Sequence, residues 1–388
     1  MKYHLPGILL LTLFFQTCAI LPGFSQGGTN NPVNDPIGRD NGRPITTAVP
    51  VLTIAPDARS AGMGDAGVAI SPDANTSHWN PAKLGFVQND FAVGLSYSPW
   101  LRNIGISDMS ISYLSGYKRV NNRAAFSASL LYFDLGDIQF TNESGGDEGQ
   151  FNPKEYAIDF GYGQKLSENL SLGVAARFIH SNLSAGISDS RPGNSAAVDV
   201  GVYYTKDLVL GGREYNLSLG SNISNVGAKI AYTNALRKDF LPTNLRLGTA
   251  FTMNLDPFNK ITLAVDGNKL LVPSPGADSM QSVPGAIFGS FTDARGGFRE
   301  ELQEVTLSTG LEYWYNDTFA ARAGYFYEAP NKGDRHYLSL GFGVRYQKFG
   351  IDMAYLAPNG RANPLAQTLR FTLIFKFDKE NTNTTASN

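Results

Sequence analysis

The chain is poor in the residues on which most soluble chemistry depends. It has one cysteine, Cys18, and four histidines in 388 residues. A zinc-cysteine site, a redox dithiol and a disulfide framework are therefore excluded. Charged residues make up only 17%, where soluble domains carry roughly 25%. Neither sign dominates: 32 Lys and Arg face 34 Asp and Glu, which argues against a nucleic-acid partner. Mean hydropathy is −0.17, too low for a bundle of membrane helices. Motifs of chemistry are missing too. There is no H-E-x-x-H, no G-x-S-x-G and no P-loop, and His78, His180 and His336 do not fall at metal spacing. No catalytic residue, no cofactor and no metal is expected, and the chain does not read as an enzyme.

What is present is apolar and aromatic. Hydrophobic residues reach 42% and aromatics 12%, which rules out global disorder. Lys2 precedes a mostly apolar run from Leu5 to Leu21, and Gly23-Phe24-Ser25 is a small-x-small cleavage pattern. Residues 1–25 thus read as a secretory signal that carries Cys18 away. Pro6, Gly7 and Gln16 interrupt the run, which disfavours a membrane anchor. Residues 26–50, rich in Asn, Gly, Pro and Asp, are expected to form a flexible arm. Residues 51–90 are compact and turn-rich. Residues 378–388 read as a disordered tail.

Between 91 and 377 the pattern is alternation. Leu245, Leu247, Thr249, Phe251 and Met253 share one parity, and Arg246, Gly248, Ala250 and Thr252 the other. Leu369, Phe371, Leu373 and Phe375 alternate in the same way with Arg370, Thr372 and Ile374. Successive strand side chains point to opposite faces, so one face is oily and the other polar or small. Fourteen such segments are predicted, at 91–99, 107–118, 122–134, 154–165, 169–182, 196–206, 214–225, 243–255, 259–269, 302–315, 318–328, 335–347, 349–357 and 367–377. Their lengths match the roughly 9–11 residues of a tilted membrane-spanning strand. Short connections (119–121, 166–168, 207–213, 256–258, 316–317, 348) alternate with long ones (135–153, 183–195, 226–242, 270–301, 329–334, 358–366). That parity, an even strand count and aromatics at segment ends, including Tyr113, Tyr117 and Tyr203, describe an outer-membrane barrel. A soluble β-sandwich shares the alternation but explains neither the parity nor the strand lengths. The oily face would meet outer-membrane lipid. The other would carry lumen charges: Asp159, Arg177, Asp199, Arg246, Glu312, Arg322 and Arg345.

Ahead of the barrel stands Asp57-Ala58-Arg59-Ser60-Ala61-Gly62-Met63-Gly64-Asp65-Ala66-Gly67, then Asp73-Ala74-Asn75 and His78-Trp79-Asn80-Pro81-Ala82-Lys83. Glycines permit tight turns in a confined lumen, and Pro72 and Pro81 stop helices from growing. Arg59, Asp65, Asp73 and Asn80 could pair with lumen groups. The fragment Gly62–Gly67 also spells G-x-G-x-x-G, but no βαβ unit surrounds it. This string resembles the N-terminal hatch of FadL-like outer-membrane barrels, with an A-R-x-A-G-M-G-x-A run followed by W-N-P-A. The resemblance implies a fourteen-stranded antiparallel transmembrane barrel with Arg59, Gly62, Met63, Gly64, Asp65, Asp73, Trp79, Asn80, Pro81 and Ala82 in a plug inside the lumen.

Within that superfamily the string is similar to the PorV family of the Bacteroidetes type IX secretion system, over about residues 50–377. PorQ, a related barrel of that system, shares parts of the hatch. The PorV resemblance implies a multi-pass outer-membrane protein that partners a large translocon channel. Such a protein receives exported cargo bearing a C-terminal signal domain and passes it to the sortase-containing attachment complex. Loop 270–301, with Pro284, Ile287, Phe288 and Phe291, is the candidate partner-binding segment. The acidic loop 135–153 reads as a solvated face, with calcium or partner capture a weaker option. Two other readings stay open. FadL-like uptake of a hydrophobic small molecule predicts a lateral opening in the wall, with Gly341–Gly343 a candidate kink. A lipopolysaccharide deacylase predicts a Ser–His pair, for which His180 beside Ser181 is the strand candidate.

Overall fold

The computed structural model describes residues 43–102, 105–106, 108–142, 144–183, 190–232, 238–277, 280–358 and 368–378. The expected signal, residues 26–42 of the expected arm and residues 379–388 of the tail lie outside them. Among the described residues fourteen strands close an antiparallel barrel. These are β1 (Phe91–Pro99), β2 (Ser110–Asn121), β3 (Ala124–Asp134), β6 (Lys154–Lys165), β7 (Leu170–Asn182), β8 (Gly193–Leu210) and β9 (Arg213–Gly227). They continue with β10 (Asn244–Asn254), β11 (Asn259–Leu270), β12 (Val305–Tyr315), β13 (Phe319–Tyr327), β14 (His336–Tyr346), β15 (Phe349–Pro358) and β16 (Thr368–Phe377). The barrel closes where β1 pairs with β16, from Phe91 opposite Phe377 to Tyr97 opposite Phe371.

The alternation becomes two faces. Asp159 is buried in the lumen while its neighbours Ile158 and Phe160 are exposed outside, and Leu95, Leu247 and Leu340 are exposed in the same way. In water such a belt would drive aggregation; in lipid it is the favourable surface.

Residues 43–90 fill the lumen. The chain enters at the long-loop end, where Arg43 N donates to Asn331 O at 2.6 Å and Ala48 N to Phe240 O at 2.9 Å. It descends through a 3₁₀ turn (Pro50–Thr53), helix α1 (Ala58–Ala61), helix α2 (Thr76–Trp79) and a second 3₁₀ turn (Pro81–Phe86), then enters β1 at the short-turn end. Asp57 caps α1 by accepting from Ser60 N at 2.9 Å, and Asn80 starts the second turn by accepting from Ala82 N at 3.0 Å.

Several expectations shift. Residues 43–50 are not a free arm: Ala48 and Val49 are buried in the plug's outer core, because their side chains are apolar. The second strand runs 110–121 rather than 107–118; Arg119 pairs with Asp90 at 2.7 Å and prolongs the sheet. β8 runs on to Leu210, since Gly211 and Gly212, both at positive φ, make the tight turn instead of 207–213. Loop 135–153 contains a two-stranded ribbon outside the barrel, β4 (Ile138–Thr141) and β5 (Asp147–Phe151). Loop 270–301 carries helices α3 (Val283–Gly289) and α4 (Phe298–Gln303). Tyr113, Tyr117 and Tyr203 are not in an outer girdle; their parity turns them inward, where they pack on the plug.

Candidate functional site

The plug is fastened to the wall by a run of ion pairs. Arg59 in α1 lays its guanidinium on Glu312 of β12, Nε to Oε2 at 2.9 Å and Nη2 to Oε1 at 2.8 Å. The third nitrogen reaches Asp73 at 3.1 Å and the Ser71 carbonyl at 3.0 Å. Glu312 also accepts from Arg322 at 2.7 Å, Arg322 reaches Asp352 at 2.8 Å, and Arg345 closes the run on Asp352 at 2.6 Å. Paired forks of this kind fix orientation as well as charge. The expected lumen charges Glu312, Arg322 and Arg345 are thus one network. Asp159, Arg177 and Asp199 form a second one, in which Arg177 bonds both carboxylates and Asn225. Arg246 joins neither; it lies over the Trp79 ring at 4.9 Å.

The remaining hatch residues find fixed places. Tyr337 OH donates to Asp65 at 2.6 Å, and Trp79 Nε1 to Asp57 at 2.7 Å. Asp266 accepts from Gly67 N at 2.7 Å and Val68 N at 2.9 Å. Asp73 pairs inside the plug rather than with the wall, and Asn80 reaches a wall backbone, Val202 O at 2.9 Å, rather than a charge. Pro81 and Ala82 are buried, and Ser171 donates to the Ala82 carbonyl at 2.6 Å. At Gly64 (φ 66°) a Cβ would come within 2.6 Å of Tyr325 N, and a Cβ on Gly324 within 2.1 Å of Gly64 N. Plug and wall meet backbone to backbone there, with Met63 packed beside them. The close fit of Gly62 on Gly341 makes the same contact one strand on.

Among the described residues, two cavities lie in the lumen. The outer one, about 260 Å³, is lined by Ile54, Asp65, Trp79, Arg246, Tyr337 and Arg370 among others. The inner one, about 790 Å³, faces the short-turn end and includes Arg59, Asp73, Glu312 and Lys376. They share no lining residue.

At the outer rim a lysine–glutamate cluster holds the long loop. Lys269 reaches Glu301 at 3.0 Å and Glu304 at 2.7 Å; Lys332 reaches Glu300 at 2.8 Å and Glu304 at 2.9 Å. Arg43 touches Glu300 at 3.4 Å. Burial alone would raise the Glu304 carboxyl, but hydrogen bonds from Lys269, Ser274 and Lys332 hold it below its ordinary value. Glu300 is lowered in the same way, against burial, by Lys332 and the Gly296 amide. The Lys332 ammonium is raised, also against burial, by Glu300 and Glu304. Asp293, Glu301 and Glu304 bring carboxylates together, but lysines and Ser274 take them up. Fastened this way, the loop turns apolar side chains outward: Phe288 is 79% exposed and Phe298 77%, with Phe291 and Leu302 beside them in sequence and also exposed. Pro284 is exposed and Ile287 half-buried.

Sequence reasoning gave no role to Asp57, Lys269, Lys332, Gly310 or Gly324, and read Gly341 as a candidate kink rather than as a plug contact. An N-cap pattern, Asp57 ahead of Ala58-Arg59-Ser60, could have found the first. Ser181 donates to Glu155 at 2.6 Å, and His180 stacks on Tyr156 with its Nδ1 2.8 Å from Asn194, so the candidate pair is not joined. His336 and Asp334 stand 3.4 Å apart at the rim, as a solvated pair.

A closed barrel with an oily exterior and a bolted plug is a plugged transmembrane β-barrel protein. Its family follows from the sequence: the model for "Type IX secretion system protein PorV" matches residues 38–277, more than half of the chain, and the chain belongs to that family. It is an outer-membrane component of the type IX secretion system. Among curated proteins none matches significantly. Solved structures with a similar outline include the Pseudomonas putida toluene transporter TodX, at 12% identity and TM-score 0.49, covering 84% of this chain and 99% of that one. A Pseudomonas aeruginosa FadL homologue gives 12% and 0.44, with coverage of 87% and 100%. At these scores the likenesses support no further step.

Proposed function

We propose that this protein is a docking and shuttle factor, not a conduit. It receives exported proteins bearing C-terminal signal domains from the large translocon channel and passes them to the sortase-containing attachment complex, without catalysing a reaction itself. The observation that carries this reading is the contrast between a plugged lumen and an outer loop with exposed aromatics. A fourteen-strand barrel filled by its own chain leaves no path for a folded protein. The loop bearing Pro284, Ile287, Phe288 and Phe291 offers an apolar surface where cargo would arrive.

Uptake of a hydrophobic small molecule, the activity named for TodX, has less support. β14 pairs without interruption with both neighbours through Gly341–Gly343, and the plug packs against Gly341. A register shift does occur between β8 and β9 at Val198/Val200, beside an outer-wall hollow lined by Ile158, Phe160 and Phe178. Its lining also includes Arg177 of a buried ion cluster, an unsuitable path for a hydrocarbon. Replacing residues 283–303 by a short Gly-Ser linker tests the proposal in detergent-solubilised outer membrane. Loss of co-purifying cargo with the barrel intact is expected. Full retention of cargo would refute the placement.

A further inference from the structure

Five arginines are buried among the described residues. Three of them, Arg59, Arg177 and Arg322, each pair with two carboxylates. The other two, Arg246 of β10 and Arg370 of β16, form no ion pair with any described carboxylate. Arg370 Nη1 donates to the Ala55 carbonyl, and its Nε is buried without a hydrogen bond. Arg246 makes one long bond, Nη1 to the His78 carbonyl at 3.5 Å. Each guanidinium has five N–H donors and cannot shed its charge. Asp199, Asp266 and Asp65 lie near enough to Arg246 to act on its charge without bonding it. A buried charge whose donors lack bonded partners is costly.

Both side chains line the outer cavity. Its wall adds the amides of Asn244 and Asn268, with Ile54, Leu270 and Phe326 as apolar surface. Asp65 also lines it; Tyr337 takes its Oδ2, while its Oδ1 is buried without a hydrogen bond. Glu304 and Glu328 line it as well, but each is already paired, with Lys332 and Arg335 of the same wall. The cavity therefore presents two cations without a bonded carboxylate, neutral amides, an apolar wall and one open acceptor. We propose that this outer cavity binds a carboxylate, held by the guanidinium groups of Arg246 and Arg370. Asp65 Oδ1 takes an N–H from the same ligand. The chemistry fits either a free acylated amino acid or the carboxyl end of a polypeptide. Arg246, Arg370 and Asp65 all lie outside loop 270–301, although Glu304 and Lys332 of the rim cluster share the cavity wall, so carboxylate binding is read separately from cargo docking.

The test uses the purified full-chain barrel in detergent and two acids, N-acetylalanine and N-acetyl-trialanine, each against its C-terminal amide. Trp79, stacked on Arg246, reports by fluorescence, and the thermal midpoint gives a second readout. At least one acid should bind saturably and at least about tenfold more tightly than its amide, because a charge-assisted fork is lost with the carboxylate. Saturation by N-acetylalanine points to a small acid, and by the tripeptide alone to a chain end. Arg246→Gln and Arg370→Gln should each weaken that binding by about tenfold or more. If either variant fails to fold, the acid–amide comparison on the unaltered protein still decides. Equal binding of acid and amide, or no saturation by either acid, overturns the proposal. So does undiminished affinity in both folded variants. The two arginines would then only brace the Ala55 and His78 carbonyls of the plug.

Discussion

The plug is held by arginines and the outer loop by lysines. Arg59, Glu312, Arg322 and Asp352 form a continuous buried run of forked contacts. Lys269 and Lys332 meet Glu300, Glu301 and Glu304 as buried point charges at the outer rim, with half-exposed Arg43 beside them. A guanidinium fork admits few geometries, whereas an ammonium can turn between partners. The difference teaches that the plug has the geometrically stricter fastening and the outer rim the more adaptable one.

The largest expected effect breaks the arginine side. Glu312→Ala takes one of two carboxylate partners from both Arg59 and Arg322 in a buried site, a loss of about 3–5 kcal/mol. It should be read as protease cleavage within residues 57–80 and as a lower unfolding midpoint in detergent. Gly64→Ala should cost less, about 1–3 kcal/mol, because the added methyl meets the Tyr325 backbone at a left-handed φ. Its midpoint should fall while cargo capture per folded molecule is kept. On the rim, Phe288→Ser and Phe298→Ser should change stability by no more than about 0.5 kcal/mol. The same pair should weaken cargo co-purification, which sharpens the contrast between holding and docking.

The smallest effect is the rim's response to pH. Glu300 and Glu304 are depressed in the folded protein, so their contribution is present above the ordinary value of 4.5 and fades as pH falls through the folded values. Lys332 is raised, so its share is present below 10.5 and is lost only as pH rises beyond that. Proteolysis between residues 283 and 303 should be flat across that window and quicken in acid below it. Cleavage in the plug should not follow. Equal acid sensitivity of both regions would erase the distinction.

Much of the fold could be read from the chain because a strand declares itself locally. Segments 91–99 and 154–165 carry their alternation in adjacent residues and appear at those bounds. The string from Asp57 to Lys83 marked the plug. Which charges pair was not legible: Lys269 and Glu304 are 35 residues apart, and Lys332 and Glu300 are 32 apart, brought together by the pairing of β11 with β12 and of β12 with β13. The plug–wall seam was hidden for another reason. Gly310 and Gly324 carry no pattern of their own and Gly341 reads as a candidate kink, yet all three are where the plug backbone needs room. Tyr113 and Tyr203 misled because an aromatic at a strand end suggests lipid; parity alone turned them inward.

The fixed plug can be tested at one contact. Ser127 Oγ of β3 donates to Ser77 Oγ of α2 at 3.0 Å, and Cys18 is the only native cysteine. Ser77→Cys with Ser127→Cys would tie plug to wall with little movement. Secretion of cargo through the type IX system should then proceed equally in oxidised and reduced cells. Secretion that stops when the bridge closes and returns on reduction would contradict the account.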